Sequence, residues 1–174
     1  YAQKRSDLAR LFQKLRISGA TKRLHRVKQA WEHRLSGMLY DLPDSGLSLL
    51  INRWLPYQVR ASRLMMRGAF YQAGGAIGFR DQLQDMLSLM HTEPQQVRNH
   101  LLLCAAHQFE EGDVQHWWHQ DGSGVRTHIS DDLLFLPYVT AVYVHSTGDA
   151  AVLDVQIPWL KGHVLSEEEP ERYF

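Results

Sequence analysis

The 174-residue sequence predicts an all-α protein, and three observations carry that expectation. Apolar residues recur at helical spacing through long stretches, helix start and stop residues bracket those stretches, and no segment shows convincing strand alternation. In residues 4–35 the spacing runs Leu8, Leu11, Phe12, Leu15, then Leu24, Val27, Trp31 and Leu35, with basic residues between. Ser18-Gly19-Ala20-Thr21 interrupts it, so two amphipathic helices are expected. Turn chemistry at Pro43-Asp44-Ser45-Gly46 marks a boundary, dividing the chain into linker helices (1–45) and a helical domain (46–174).

Residues 47–70 read as a long helix that buries Leu50, Trp54, Tyr57, Val59, Leu64 and Met65, with a kink or restart at Pro56. After the Gly74-Gly75-Ala76-Ile77-Gly78 loop, helix returns at about 81–90. It returns again over 94–109, where Pro94 takes a first-turn position that needs no N–H. Residues 110–130 form a long loop rich in His and Trp, a type more often functional than idle. The next helix, 131–146, ends at Thr147-Gly148, and Asp149 is expected to cap a short helix towards Trp159. The one faintly strand-like stretch, 152–157, is discounted. Antiparallel helix hairpins joined by such loops suit a ring of helices with a concave site at one end.

Composition narrows the function classes. Nineteen basic residues cancel nineteen acidic ones, so the chain as a whole gives no reason to expect a nucleic-acid partner. The cancellation hides ten Lys/Arg against Asp7 and Glu32 in residues 1–34, which read as a solvated basic helix face. Cys104, the single cysteine, sits in the run Leu101-Leu102-Leu103-Cys104-Ala105-Ala106 and reads as a small buried hydrophobe. No apolar stretch approaches the ~20 residues needed to span a bilayer. The chain starts without Met and stops in charged sequence, and is expected to be a piece of a larger protein.

Acid, amide, guanidinium, imidazole and indole groups gather at the ends of the apolar segments. They occur in Gly78-Phe79-Arg80-Asp81-Gln82-Leu83-Gln84-Asp85, in Glu111-Gly112-Asp113-Val114-Gln115-His116-Trp117-Trp118, and in Ser130-Asp131-Asp132. Indole faces stack on sugar CH surfaces, and carboxylates, amides and guanidinium groups bind hydroxyls, so the set reads as a carbohydrate site. Asp81 serves either as a helix cap or, with Arg80, as a grip on hydroxyls. Trp117 and Trp118 are stacking platforms or ordinary core. His116, His119 and His128 invite comparison with metal ligands, but no Cys or clear carboxylate ligand accompanies them, and no metal is expected. Ser130 or Asp131 can cap the following helix. Two adjacent carboxylates exceed capping needs, however, and burial beside Trp and Phe would favour a protonated carboxyl, as a general acid requires.

These motifs, in this order, resemble the glycoside hydrolase family 94 phosphorylases, which include cellobiose and chitobiose phosphorylases. In particular they resemble the phosphorylase-like C-terminal region of cyclic β-1,2-glucan synthases. The likeness runs through Asn52-Arg53-Trp54-Leu55, Phe70-Tyr71-Gln72-Ala73, Gly78 to Asp85, Glu111 to Trp118, Gly124-Val125-Arg126-Thr127, Ile129 to Asp132 and Thr147-Gly148-Asp149. It implies linker helices followed by the first part of an (α/α)6 barrel. It also implies inverting phosphorolysis of a β-glucan oligosaccharide with inorganic phosphate as co-substrate and no cofactor. The family's acid falls on Asp131 and a sugar-binding aspartate on Asp81. Arg80, Asp113, Gln115, His116, Trp117, Trp118, Arg126 and Asp132 are the further expected substrate contacts. Gly75 stands where cellobiose phosphorylase has a sugar-gripping Arg, and Ile129 where disaccharide phosphorylases carry Trp. Both departures favour the glucan-synthase branch. The resemblance further implies a parent attached to the cytoplasmic side of the bacterial inner membrane through regions outside this chain. The family's later Gly-Asp-Trp-Asn-Asp-Gly segment and its phosphate-binding residues have no counterpart here. The chain by itself is therefore expected to be catalytically silent, and an assay for glucose 1-phosphate released from β-1,2-glucan and phosphate checks this.

Overall fold

The computed structural model describes residues 5–67 and 74–174. They fall into two units, Tyr1–Leu39 and Tyr40–Phe174. The first holds helices α1 (Arg5–Ser18) and α2 (Ala20–Leu35), the pair read from the apolar spacing. The expected boundary at 45/46 lies within the second unit.

That unit opens with α3 (Ser45–Leu49), started by Asp44, whose Oδ1 accepts from the Leu47 N–H at 2.7 Å. The chain stays helical past Pro56 because its turns widen. π-Helical turns at Leu50–Trp54 and Val59–Met65 flank a short α-helix, α4 (Leu55–Gln58). A π turn spaces the carbonyls differently, which accommodates a ring that would clash in a regular α-helix and a residue with no N–H to give. The burial expected for this stretch is corrected. Leu50, Trp54, Tyr57 and Met65 are exposed, and the buried residues are Asn52 and Arg60. Asn52 bonds both the N–H and the carbonyl of Tyr40, each at 2.8 Å. Arg60 reaches Glu93 (2.6 Å), Thr92 (3.0 Å) and the Pro56 carbonyl (3.1 Å). These polar anchors, together with Leu64 packed against the core, hold this segment.

The core lies among α5 (Phe79–Leu87), α6 (Pro94–Ala105) and α7 (Asp132–Thr147). Phe79, Leu83, Met86, Val97, Leu101, Cys104, Val139 and Tyr143 pack there. Cys104 is wholly enclosed and burial pushes its thiol pKa up, as befits an inert small hydrophobe. After α7 ends at Gly148, Asp149 takes the expected N-cap position of the short 3₁₀ helix Ala150–Asp154 but makes no geometric side-chain cap bond there. It accepts instead from Arg98 Nε (2.9 Å) and the Tyr143 hydroxyl (2.8 Å), clasping α6 to α7.

The all-α expectation needs one correction. Alongside the helices lies a four-stranded antiparallel sheet in chain order: β1 (Ile77–Gly78), β2 (Gln115–Trp118), β3 (Gly124–Thr127) and β4 (Glu171–Tyr173). The strands are two to four residues long, too short to display alternation. The pairing between β2 and β3 also shifts register between Gln115 and Trp117, which leaves Gln115 and Trp118 both buried. Gly124 is required where β2 and β3 cross closely, since a Cβ there would lie 2.5 Å from the Trp117 carbonyl oxygen. The described residues thus form a mostly helical unit with a small sheet, consistent with part of an (α/α) barrel.

One side chain ties the sheet to the C-terminal segment. Arg126 on β3 is 0% exposed. It donates to both oxygens of Asp113, to Glu111 at 3.0 Å and to the His163 carbonyl at 2.8 Å, and its guanidinium lies 3.9 Å from the Phe109 ring centre. Arg126→Leu should cost about 3 kcal/mol in denaturant unfolding, near the low end for a broken buried ion pair because Glu111 and Asp113 keep some access to water. Arg126→Lys should recover only part, for lack of the planar fork. A loss of under about 0.5 kcal/mol for Arg126→Leu, the level of an ordinary surface substitution, would remove the anchor role.

Candidate functional site

Three element ends converge on one cluster of charged groups: the first turn of α5, the bulge in β2 and the first turn of α7. Asp81 curls back over the strand that feeds α5. Its Oδ2 sits 2.6 Å from where a Cβ on Gly78 would be, so a side chain there would displace the Asp81 carboxyl. No side chain caps α5; Asp81 faces Arg63 at 3.9 Å instead, and Arg63 holds Asp85 more tightly at 2.8 Å. Burial raises the Asp85 carboxyl above its usual range, with Arg63 opposing.

Arg80, one residue earlier, crosses to the start of α7. Its Nε lies 2.9 Å from Asp131 Oδ2, and its guanidinium stands 5.0 Å from the Phe135 ring centre. Both members of this pair are open to solvent, with side chains 40% and 50% exposed. Asp131 occupies the N-cap position of α7 but makes no side-chain cap bond. The burial expected for Asp131 falls on its neighbour: Asp132 is 1% exposed. Trp118 turns inward, and the Asp131 side chain stays 50% exposed.

Asp132 Oδ2 accepts from His116 Nδ1 at 2.7 Å, and Oδ1, also buried, has no partner among the described residues. The bond to Asp132 raises the His116 pKa above its usual value. Partial burial opposes the shift, and the negative fields of Asp132, Asp81 and Asp131 add to it. His116 therefore lies within electrostatic reach of all three carboxylates. Arg80, Asp81, His116, Asp131 and Asp132 form one cluster of two cationic groups among three carboxylates.

The other expected contacts are placed elsewhere. Trp118 is 2% exposed; it stacks on His107 with centroids 3.8 Å apart and meets Phe79 edge-on. Gln115 is buried and bonds His107 Nδ1 at 2.7 Å. Arg126 and Asp113 are spent on each other in the knot described above. These four side chains are engaged in the sheet and its packing. Trp117 is half-buried, edge-on to His119 (5.3 Å) and Tyr173 (5.9 Å). Among the described residues, no three His, Cys, Asp or Glu side chains stand together as a metal site. The motif Phe70-Tyr71-Gln72-Ala73 lies outside the described residues. Arg63 and Phe135 escaped the sequence reading, since each meets its partner only through the tertiary fold.

Comparison with known proteins bears directly on this cluster. Residues 30–169 match the family described as the glycosyl hydrolase 94 superfamily, catalytic domain. The chain belongs to the glycosyl hydrolase 94 superfamily. It is 40% identical over 165 residues to the cyclic beta-(1,2)-glucan synthase NdvB of Rhizobium meliloti (strain 1021), a match covering 94% of this chain and 6% of that protein. It is 27% identical over 165 residues to an N,N'-diacetylchitobiose phosphorylase of Vibrio furnissii, covering 78% of this chain and 21% of the relative. The corresponding protein of Vibrio proteolyticus is 26% identical over 172 residues, with 82% and 22% covered. The chain thus spans at most about a fifth of the length of these curated relatives. Glycosyl hydrolase 94 membership makes the chain part of a carbohydrate-active enzyme family.

The His116–Asp132 bond predicts a titration. In the folded protein the His116 imidazole should titrate above 6.5, and Asp132→Asn should bring it back towards that value, as read by NMR of the ring protons. The folded-state pKa is raised, so the stability it adds is fully present below about 6.5 and lost as pH rises through the shifted value. An unchanged His116 titration in Asp132→Asn would contradict the assignment.

Proposed function

We propose that the chain is part of the phosphorylase-like region of a cyclic β-1,2-glucan synthase and carries the general acid for inverting phosphorolysis of β-glucan. The observation that carries the reading is the solvent-open Asp131 carboxyl at the start of α7, gathered with Arg80, Asp81 and His116 in a family 94 sequence. In the proposed step, phosphate oxygen attacks the anomeric carbon from the face opposite the leaving group. The bond to the glycosidic oxygen breaks, and that oxygen takes the Asp131 proton. The products are a sugar 1-phosphate of inverted configuration and a glucan one residue shorter. Phosphate is a co-substrate, and the groups that bind it belong to parts of the parent outside this chain.

Arg80 fits a second task. A sugar whose hydroxyls compete for the guanidinium draws it from Asp131 and frees the carboxyl to serve as acid. Asp81, held loosely by Arg63, takes hydroxyls on the same side. Arg80 and Asp81 supply the polar orientation of a sugar subsite, and the half-buried Trp117 offers a stacking face on the sheet. The parent would work at the cytoplasmic side of the bacterial inner membrane, attached by other regions. Among the described residues no helix is long and apolar enough to cross a membrane. A non-catalytic glucan-binding module and a disaccharide phosphorylase fragment are the competing readings. Gly75 and Ile129, which depart from the disaccharide pattern, disfavour the second.

The test is phosphorolysis by the complete protein carrying this chain, with variants compared at matched thermal stability. Asp131→Asn keeps the shape of the side chain but has no acid proton to give, and should lower the rate by roughly 10²–10⁴-fold. Asp132→Asn should cost less. If Asp132→Asn is the inactive variant and Asp131→Asn keeps most activity, the acid is misplaced by one residue. If glucan binds but no phosphate-dependent product appears even in the wild type, the binding-module reading replaces this one.

A further inference from the structure

Asp132 is placed unlike a sugar ligand. At 1% exposure it cannot present an oxygen to a ring hydroxyl approaching from solvent, and one of its oxygens has no partner among the described residues. Burying a carboxylate costs several kcal/mol unless a partner compensates, and His116 is the partner the structure provides, at 2.7 Å. The β2 bulge makes that bond possible. In an unbroken two-residue alternation His116 would share the inward face of Trp118. The register shift between Gln115 and Trp117 inserts one unpaired residue, so His116 leaves the core face and points to the start of α7.

We propose that His116 and Asp132 are a positioning pair for Asp131: their bond ties β2 to the first turn of α7 and fixes the direction of the neighbouring Asp131 carboxyl. The inference rests on the reading of Asp131 as the acid and deepens it. Asp131 and Asp132 are adjacent in the first turn, where the Leu134 N–H bonds the Asp131 carbonyl at 3.1 Å. Locking the Asp132 side chain therefore sets the backbone from which Asp131 projects, with the Arg80 guanidinium beside it as a solvent-exposed ion pair. A reacting group displaced by about 1 Å can lose about 10²-fold in rate, so a fixed backbone at this point bears directly on turnover. The charged groups acting on His116 are Asp131 and Asp132 from α7 and Asp81 from α5, with Arg80 offsetting Asp131. The bulge and the orphaned oxygen carry the argument, and the raised His116 pKa agrees with it.

The experiment uses the complete protein, β-1,2-glucan and phosphate, with His116→Phe, His116→Asn, Asp132→Asn and the double variant His116→Phe/Asp132→Asn. Asn places an amide donor near the Nδ1 position but does not titrate. His116→Phe should lower kcat about 10–100-fold with KM within about threefold, since it misplaces the acid without touching sugar. His116→Asn should recover at least about tenfold of that loss, and the fall of kcat at alkaline pH due to His116 deprotonation should vanish. The double variant should be no worse than His116→Phe alone, because both changes break one interaction. A rise in KM with unchanged kcat would make His116 a direct sugar ligand and overturn the proposal. Loss of activity that merely follows loss of folded protein, with no rescue by Asn, would also overturn it. Failure of the underlying acid reading looks different: Asp131→Asn then keeps its activity, and the positioning role falls with it.

Discussion

The buried Arg126 guanidinium is the constraint on which the sheet, and through it the site, depends. It gathers the turn after α6 (Phe109, Glu111, Asp113), strand β3 and the segment around His163 onto one planar group. A guanidinium with no access to water must have its donors met, and here two carboxylates and a carbonyl meet them. The surrounding contacts follow from that arrangement. Phe109 and Phe174 close over the knot with centroids 5.7 Å apart, and Gly162 lies against both rings so closely that a Cβ would be under 3 Å from each. The Gln108 carbonyl accepts from the Leu160 N–H at 2.8 Å. With β3 held in this way, β2 has a fixed partner, and the bulge between Gln115 and Trp117 appears at a defined height above α7.

The bulge divides the Gln115-His116-Trp117-Trp118 run between two tasks. Gln115 and Trp118 enter the interior, where both engage His107, by hydrogen bond and by stacking. His116 is released towards Asp132, and Trp117 remains half-buried beside Tyr173. Four consecutive polar and aromatic residues thus supply both packing and site. The cluster is charge-dense yet compensated: Arg80 faces Asp131, His116 faces Asp132, and Arg63 spans Asp81 and Asp85. Groups held by paired rather than isolated contacts keep their directions before substrate arrives, which lowers the ordering needed on binding.

The helical part of the unit leaves apolar groups open on one side. Leu133, Leu134 and Tyr138 of α7 are exposed, as are Leu153 and Trp159 beyond it. They belong to a chain of the glycosyl hydrolase 94 superfamily that spans at most about a fifth of the length of these curated relatives.

By itself the sequence determined the helices and the family. Apolar spacing and Pro94 at a first turn are local signals, and they located α1, α2, α6 and α7 within a few residues. The motifs carrying the resemblance are contiguous runs, so they too could be read without a fold. What the tertiary structure alone decided was which members of those runs join the charged cluster. Strands of two to four residues hold no periodicity to read, and one inserted residue in β2 reverses the side to which a side chain points. Asp131 and Asp132 are equivalent as letters, but the first opens to solvent beside Arg80 and the second is buried against His116. Arg126 looks like a substrate clamp in sequence, and its long-range partners make it an anchor. Local propensity acts over a helical turn, whereas desolvation and charge pairing depend on groups tens of residues away, and only packing brings those together.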